Sequence, residues 1–458
     1  MKVSSLKLAK LGILAGGFLA AYDGSAVAMA LPAIMETYDA HVSAAQWVVV
    51  AFLAVTTALL IPAGSLADRW GRRRVYAWGL RLLAVGALGS AFAPNLGSLV
   101  GWRTMQGVGA AAVTASTQAI LTTRATVGPS TALGQLHAAI GLGLLAGPVL
   151  GGWLLDEVGW PAIFLAELIF VVTILWMISR ETAEARYPAT RSFDFAGTLL
   201  LAGATGPLIV AIALVGRMRE TFGLAVTLAG IGLASTLGLL AWERRTPSPL
   251  FPTGLFSNRA FTLGLACAFL TFVAMASNMF LMPILLQTVL RLSSTWTGII
   301  LATAPVVIIL SAPFAGGWAD RIGPRLPASL GLATVTGGIA LMREIEPGSI
   351  LSLIVGALAV YGTGAALFQS PNNSAVLAAV PARDRGMASG ILATARNLGL
   401  AIGVAIAVLA LSWQGPGPQA MSPDAFRRAF GVLMTVAAFA TGLSWLRGTP
   451  SKGEDDAS

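Results

Sequence analysis

Residues 64–74 read GSLADRWGRRR, and residues 316–325 read GGWADRIGPR. Aligned on Asp68 and Asp320, the two charged phrases stand 252 residues apart. Each lies between long apolar stretches, so each is a loop joining two hydrophobic segments. Of the 458 residues, 56% are hydrophobic and 11% charged, whereas a soluble domain carries about 25% charged residues. Apolar stretches of this kind are long enough to cross a bilayer core of ~30 Å. The composition is that of a polytopic membrane protein. Residues 8–31 lack a cleavage site and carry Asp23 in their middle, so they are read as the first span and not as a signal peptide.

Charged and Gly/Pro-rich breaks divide the chain into fourteen apolar segments, the first near 8–33 and the last near 427–447. All are expected to be helices, because lipid offers no partner to an unpaired backbone group. With the N-terminus cytoplasmic, twenty Lys and Arg fall on the cytoplasmic side, six outside, and three (Arg81, Arg103 and Arg396) inside spans. That bias accounts for the formal charge of +9 as topology, with no nucleic-acid partner. Both phrases then sit in cytoplasmic loops. Six-helix repeats predict an offset of roughly 200 residues at ~33 per span and loop. The surplus matches two additional spans. The expected layout is a six-helix bundle in 1–180, a two-helix insertion in 181–258, a second bundle in 259–448 and a polar cytoplasmic tail in 449–458.

Few residues could carry chemistry. Cys267 is the sole cysteine and His41 and His137 the two histidines, so no internal disulfide, thiolate cluster or histidine-rich metal site is available. His137 is read as a packing or interfacial residue in preference to a proton relay. No phosphate-binding G-x-x-x-x-G-K-[ST] loop occurs. Of the acids, only Asp23 and Glu167 fall well within spans. Asp23 stands 13 residues from both Lys10 and Glu36, roughly 20 Å along a helix from either. A carboxylate at that depth needs a cavity or a partner. Glu167, about 10 Å inside its span, is either a second proton site or an acid that reaches water or a neighbouring helix.

The phrase G-x-L-A-D-R-x-G-R-R-R resembles the signature loop of the major facilitator superfamily. It is carried by Gly64, Asp68, Arg69, Gly71 and Arg72, with Asp320, Arg321 and Gly323 in the second copy. Its glycines permit a sharp turn and close helix approach, and its arginines suit neighbouring helix ends. The resemblance implies a latch between cytoplasmic helix ends, for which Arg124 is the expected partner of Asp68. RTMQGVGAA (103–111) matches the family's R-x-x-Q-G-x-G. The match implies a part for Arg103 in proton coupling, although 21 residues before Arg124 it also stands close enough to the outer headgroups to snorkel.

GLLAGPVLGG (143–152) is similar to the exporters' antiporter motif, through Gly143, Gly147, Pro148, Gly151 and Gly152. The pattern is not repeated near 387–412. YDGSAVAMALPAI (22–34), AQWVVVAFL (45–53), FDFAG (193–197) and VPARDRGMASGILATARNLG (380–399) resemble fourteen-span drug/proton antiporters, with Ser25 and Ala28 replacing that family's usual threonine and asparagine.

The resemblance implies an all-α major facilitator fold of two pseudo-symmetric six-helix bundles plus two helices. It also implies a monomeric multi-pass protein of the cytoplasmic membrane with both termini inside. Such a protein exports small hydrophobic compounds in exchange for protons, driven by the proton gradient without a cofactor. Asp23 is the expected principal coupling residue, facing the cavity. The cavity is expected to be lined by Tyr22, Ser25, Gln106, Asn278, Phe280, Met282, Tyr361, Gln369, Asn372 and Asn373, with Gln287 nearby. An exporter of one endogenous metabolite is the alternative. The exporter-type motif weighs against an importer, and an enzyme or receptor would need clustered intramembrane acids or a large extramembrane domain.

Overall fold

The computed structural model describes residues 2–123, 129–179, 194–215, 218–246, 253–381, 385–414 and 421–446, and these are helical throughout their regular structure. The elements are α1 (Lys2–Thr37), α2 (Val42–Ala45), α3 (Trp47–Trp70), α4 (Arg72–Ala91), α5 (Leu96–Thr123), α6 (Pro129–Glu157), α7 (Pro161–Ser179), α8 (Phe195–Leu214) and α9 (Met218–Glu243). They continue with α10 (Arg259–Ile284), α11 (Ser294–Leu301), α12 (Thr303–Ile322), α13 (Arg325–Arg343), α14 (Leu351–Ala378), α15 (Arg385–Leu411) and α16 (Pro423–Trp445). A π turn, Leu285–Val289, extends α10.

Among the described residues twelve helices are long and apolar enough to cross a membrane. The expected count of fourteen exceeds this by α4 and α5. The shortfall is one of composition. α4 starts with Arg72, Arg73 and Arg74 and carries Arg81, and α5 holds Arg103, Gln106 and a run of glycine and hydroxyl residues.

The repeat heard in the sequence reappears in the packing. Gly71 and Gly323 end α3 and α12 at φ +99° and +85°, a region open in practice to glycine. Eight residues on from each, Gly79 and Gly331 seat the next helix. A Cβ on Gly79 would lie 2.8 Å from the Gly109 carbonyl oxygen, and one on Gly331 2.8 Å from that of Gly364. These contacts join α4 to α5 and α13 to α14 with backbones touching. α1 packs on α6 and α10 on α15, while α8 and α9 pack together and α8 lies against α3 and α15.

Strict alternation puts the loops at Gly71 and Gly323, the start of α1 and the end of α16 at one end of the bundle, called here the loop end.

Candidate functional site

Two side chains on one face of α5 organise the buried charge. Arg103 and Gln106 are three residues apart, which brings them to the same side of the helix. Arg103 donates to Asp23 on α1 through both terminal nitrogens, at 2.6 and 2.9 Å, and through Nε to the Val48 carbonyl at 3.0 Å. It also donates to Gln106 Oε1 at 2.9 Å and lies over the Phe52 ring at 4.3 Å. Gln106 Nε2 then donates to Glu167 Oε2 on α7 at 2.7 Å. All four side chains are at most 2% exposed. Arg103 therefore turns inward to Asp23 instead of snorkelling to headgroups, and Glu167 does not reach outer water. The second oxygen of Glu167 and the hydroxyl of Tyr22 have no hydrogen-bond partner among the described residues.

A cavity of about 380 Å³ opens beside this chain, between α1, α5 and α6 on one side and α10, α14 and α15 on the other. Of the residues expected to line it, Ser25, Asn278, Phe280, Tyr361 and Gln369 do so. The others point elsewhere, since one helix offers a cavity only one face. Tyr22 is enclosed by Phe18 and Phe170, and Gln106 is taken up by the buried chain. Met282 is fully buried, Asn372 donates to the Gly264 carbonyl at 3.3 Å, and Asn373 accepts from Arg396. Gln287 reaches across to the Met29 carbonyl at 3.2 Å. Arg103 contributes to the wall, whereas Asp23 is not among the lining residues.

The model of the Major Facilitator Superfamily matches residues 13–264 and again 264–458. The chain belongs to the major facilitator superfamily. It is 31% identical over 395 residues to the riboflavin transporter RibZ of Clostridioides difficile (strain 630), covering 85% of each chain. It is 30% identical over 397 residues to the multidrug resistance protein Stp of Mycobacterium tuberculosis, covering 85% of this chain and 73% of that one. The crystal structure of a D-xylose-proton symporter superposes with a TM-score of 0.71 at 15% identity, over 99% of this chain and 100% of that one. The protein is thus a multi-pass membrane transporter with multidrug-efflux relatives, and its family and fold are those of transporters and not of enzymes.

In this facilitator the signature loops brace helix ends. Asp68 pairs with Arg72 one turn on, at 2.7 Å, and Arg72 donates to the Ala119 carbonyl of α5 at 2.8 Å. Arg73 donates to the Ile178 carbonyl at the end of α7. Its counterpart 252 positions on, Arg325, donates to the Trp445 carbonyl at the end of α16 at 2.7 Å. Cations at carbonyl-rich helix C-termini are favourable. Arg69 and Arg321 occupy the last turns of α3 and α12, and Asp320 precedes Arg321. Arg124, the expected partner of Asp68, lies outside the described residues. Gly64 was expected to allow a close approach, but a Cβ there would meet Ala115 at an ordinary 3.8 Å.

The antiporter-motif residues work on two faces of α6. Gly143, Gly147 and Gly151 face α1: added Cβ atoms would run into the Phe18 carbonyl, into Ser25, and to 3.4 Å from Ala26. Pro148 and Gly152 instead face α11 of the other half, where the Pro148 carbonyl touches Gly298 and Gly152 meets the Ser294 carbonyl. The sequence shows no second copy of the motif, yet Gly399 and Gly403 stand 252 positions after Gly147 and Gly151 and seat α15 on the Phe269 and Val273 carbonyls of α10. The glycine half of the pattern is duplicated. What the second copy lacks is the Pro148–Gly152 face, which makes the contact between halves.

Among the cavity residues that sequence reading did not place there are two that carry or can carry charge, His137 and Arg396. The signal for Arg396 was present, because a cation inside a span is rare and usually functional.

Proposed function

We propose that this transporter is a proton-driven exporter of small hydrophobic compounds, working by alternating access with its loop end in the cytoplasm. The observation that carries the reading is Glu167, a fully buried carboxyl held by one amide and, among the described residues, without a cation of its own. Burying an unpaired carboxylate costs several kcal/mol, and a bound proton cancels that cost. The cluster contains two carboxyls and one guanidinium, so a single proton makes it neutral. Arg103 touches the cavity on one side and Gln106 on the other. A substrate arriving in the cavity and a proton leaving the cluster thus act on the same guanidinium. Asp23 exchanges a proton in turn when Arg103 is drawn away from it.

The bias of lysine and arginine supports fourteen crossings of the cytoplasmic membrane with both termini inside. α4 and α5 cross as well, because each runs antiparallel to its neighbours within the bundle. Contacts between halves at the far end support an inward-facing conformation, with Asp156 accepting from the Ser294 and Thr295 backbone at 3.1 and 2.7 Å.

The experiment uses proteoliposomes of the purified full-length chain, a fluorescent hydrophobic dye and an imposed pH gradient. Dye should move uphill and stop when an ionophore collapses the gradient. Movement that ignores the ionophore would remove proton coupling. A dedicated metabolite exporter is the second reading, favoured by the similarity to a riboflavin transporter. It predicts that one compound of a panel including riboflavin is carried and that unrelated dyes neither compete nor move.

A further inference from the structure

Among the described residues the cavity wall carries no Asp or Glu, and its charged and titratable side chains are Arg103, Arg396, His137 and Tyr361. Arg103 is neutralised by Asp23. Arg396 is not neutralised. Its guanidinium donates to the neutral amide oxygen of Asn373 and lies 5.5 Å from the centre of the Phe272 ring. Its Nε has no hydrogen-bond partner, and no carboxylate among the described residues comes within ion-pair distance of it.

The architecture does not require a cation there. Arg396 stands three residues before Gly399, as Leu144 stands three before Gly147, and those glycines seat α15 and α6 in the same way. Leu144 lines the same cavity as an ordinary apolar residue. A second-half charge has therefore been placed where the duplicated scaffold accepts leucine. A half-desolvated guanidinium without a counter-ion is costly. Both intramembrane acids belong to the first half and are tied into the Arg103 cluster, so no acid among the described residues supplies the counter-ion.

We propose that Arg396 anchors the acidic group of an amphipathic organic anion, a carboxylate, sulfonate or phosphate on a hydrophobic body, and that such anions are the preferred cargo. Asn373 and Phe272 fix the guanidinium plane from one side and leave donors for the anion. Phe280, Met275 and Met279 line the wall for the apolar body, thioethers and rings being adaptable to varied shapes. The assignment rests on the reading of this cavity as a substrate site.

The test uses two probes with one skeleton, 1-anilinonaphthalene-8-sulfonate and its neutral parent N-phenyl-1-naphthylamine, both radiolabelled. Binding is measured to the full-length protein in zwitterionic nanodiscs, with protein-free discs subtracted. The sulfonate should bind about tenfold tighter than the parent, the scale of one charge-assisted hydrogen bond. Arg396→Gln should erase that difference while leaving the parent unchanged, and Arg396→Lys should retain part of it. Equal binding of both probes by the natural chain would overturn the proposal. So would equal loss of both in Arg396→Gln, or saturation by chloride with no sulfonate preference, which would assign Arg396 to packing or to an inorganic ion. In proteoliposomes, uphill transport of the neutral probe without anion preference sinks this inference but spares proton-driven export. Arg396-dependent binding of the sulfonate with no pH-driven movement does the reverse.

Discussion

Arg103 grips Asp23 with two hydrogen bonds, at 2.6 and 2.9 Å, while the two side chains are 1% and 2% exposed. A pair so enclosed gains little over an apolar substitute, but losing one member leaves the other charge stranded. Breaking a buried pair costs ~3–5 kcal/mol. Asp23→Asn and Arg103→Gln should each lower the thermal midpoint of the purified protein. The double variant should recover much of the loss, because no stranded charge remains. Single variants that melt with the natural chain would show that the pair does not hold α1 to α5.

Glu167 gives a different expectation, because no cation holds it. Glu167→Gln keeps an oxygen able to accept from Gln106 Nε2, so stability should change by less than about 1 kcal/mol. Uphill, pH-driven export should be lost, while downhill exchange of substrate persists at half or more of its natural rate. Uphill export with unchanged pH dependence would move the coupling to Asp23 and leave Glu167 a structural acid.

The loops were legible because D-R-x-G is specific, and the same 252-residue spacing then proved to run through single residues that no motif marks. Gly331 and Gly403 are two of 52 glycines, and nothing local distinguishes a glycine that seats a helix from one facing lipid. Depth along a helix could be counted for Asp23 and for Arg103, but their pairing could not, because it depends on how α1 and α5 rotate against each other. The same rotation decides which side chains face the cavity, so five of the ten expected lining residues were misplaced. Arg396 was visible as an intramembrane cation. That no carboxylate among the described residues reaches it became visible only in the packed structure.

The helix contacts make a paired prediction. Leucine at Gly147 would collide with Ser25, and leucine at Gly399 with the Phe269 carbonyl. Overpacking of this sort costs ~1–3 kcal/mol. Both variants should insert, melt earlier and export poorly. Gly390, also on α15, has open space around it. Gly390→Leu therefore serves as the control and should melt within about 0.5 kcal/mol of the natural chain. Three indistinguishable melting curves would remove the glycines from the packing argument.

At the end of the bundle away from the signature loops, the two halves meet at Asp156, near the end of α6. Its two carboxylate oxygens take the backbone N–H groups of Ser294 and Thr295, at 3.1 and 2.7 Å, where α11 begins. Those amides are the unsatisfied donors of a helix N-terminus, and an anion there is worth about 1–2 kcal/mol in favourable geometry. The contact joins the two halves, so it exists only while this end is shut, and its energy biases the population of the shut form. Removing it with Asp156→Ala should raise the open fraction about tenfold. Because Cys267 is the sole cysteine, Cys267→Ser gives a background in which Ala28→Cys, on the cavity wall, reports access. A membrane-impermeant maleimide added at the face opposite the signature loops should label Ala28→Cys about tenfold faster once Asp156 is alanine. Asp156→Glu, which keeps the charge, should label close to the parent rate. Equal labelling rates in all three would mean that the shut end is held by the Pro148–Gly298 and Gly152–Ser294 backbone contacts alone.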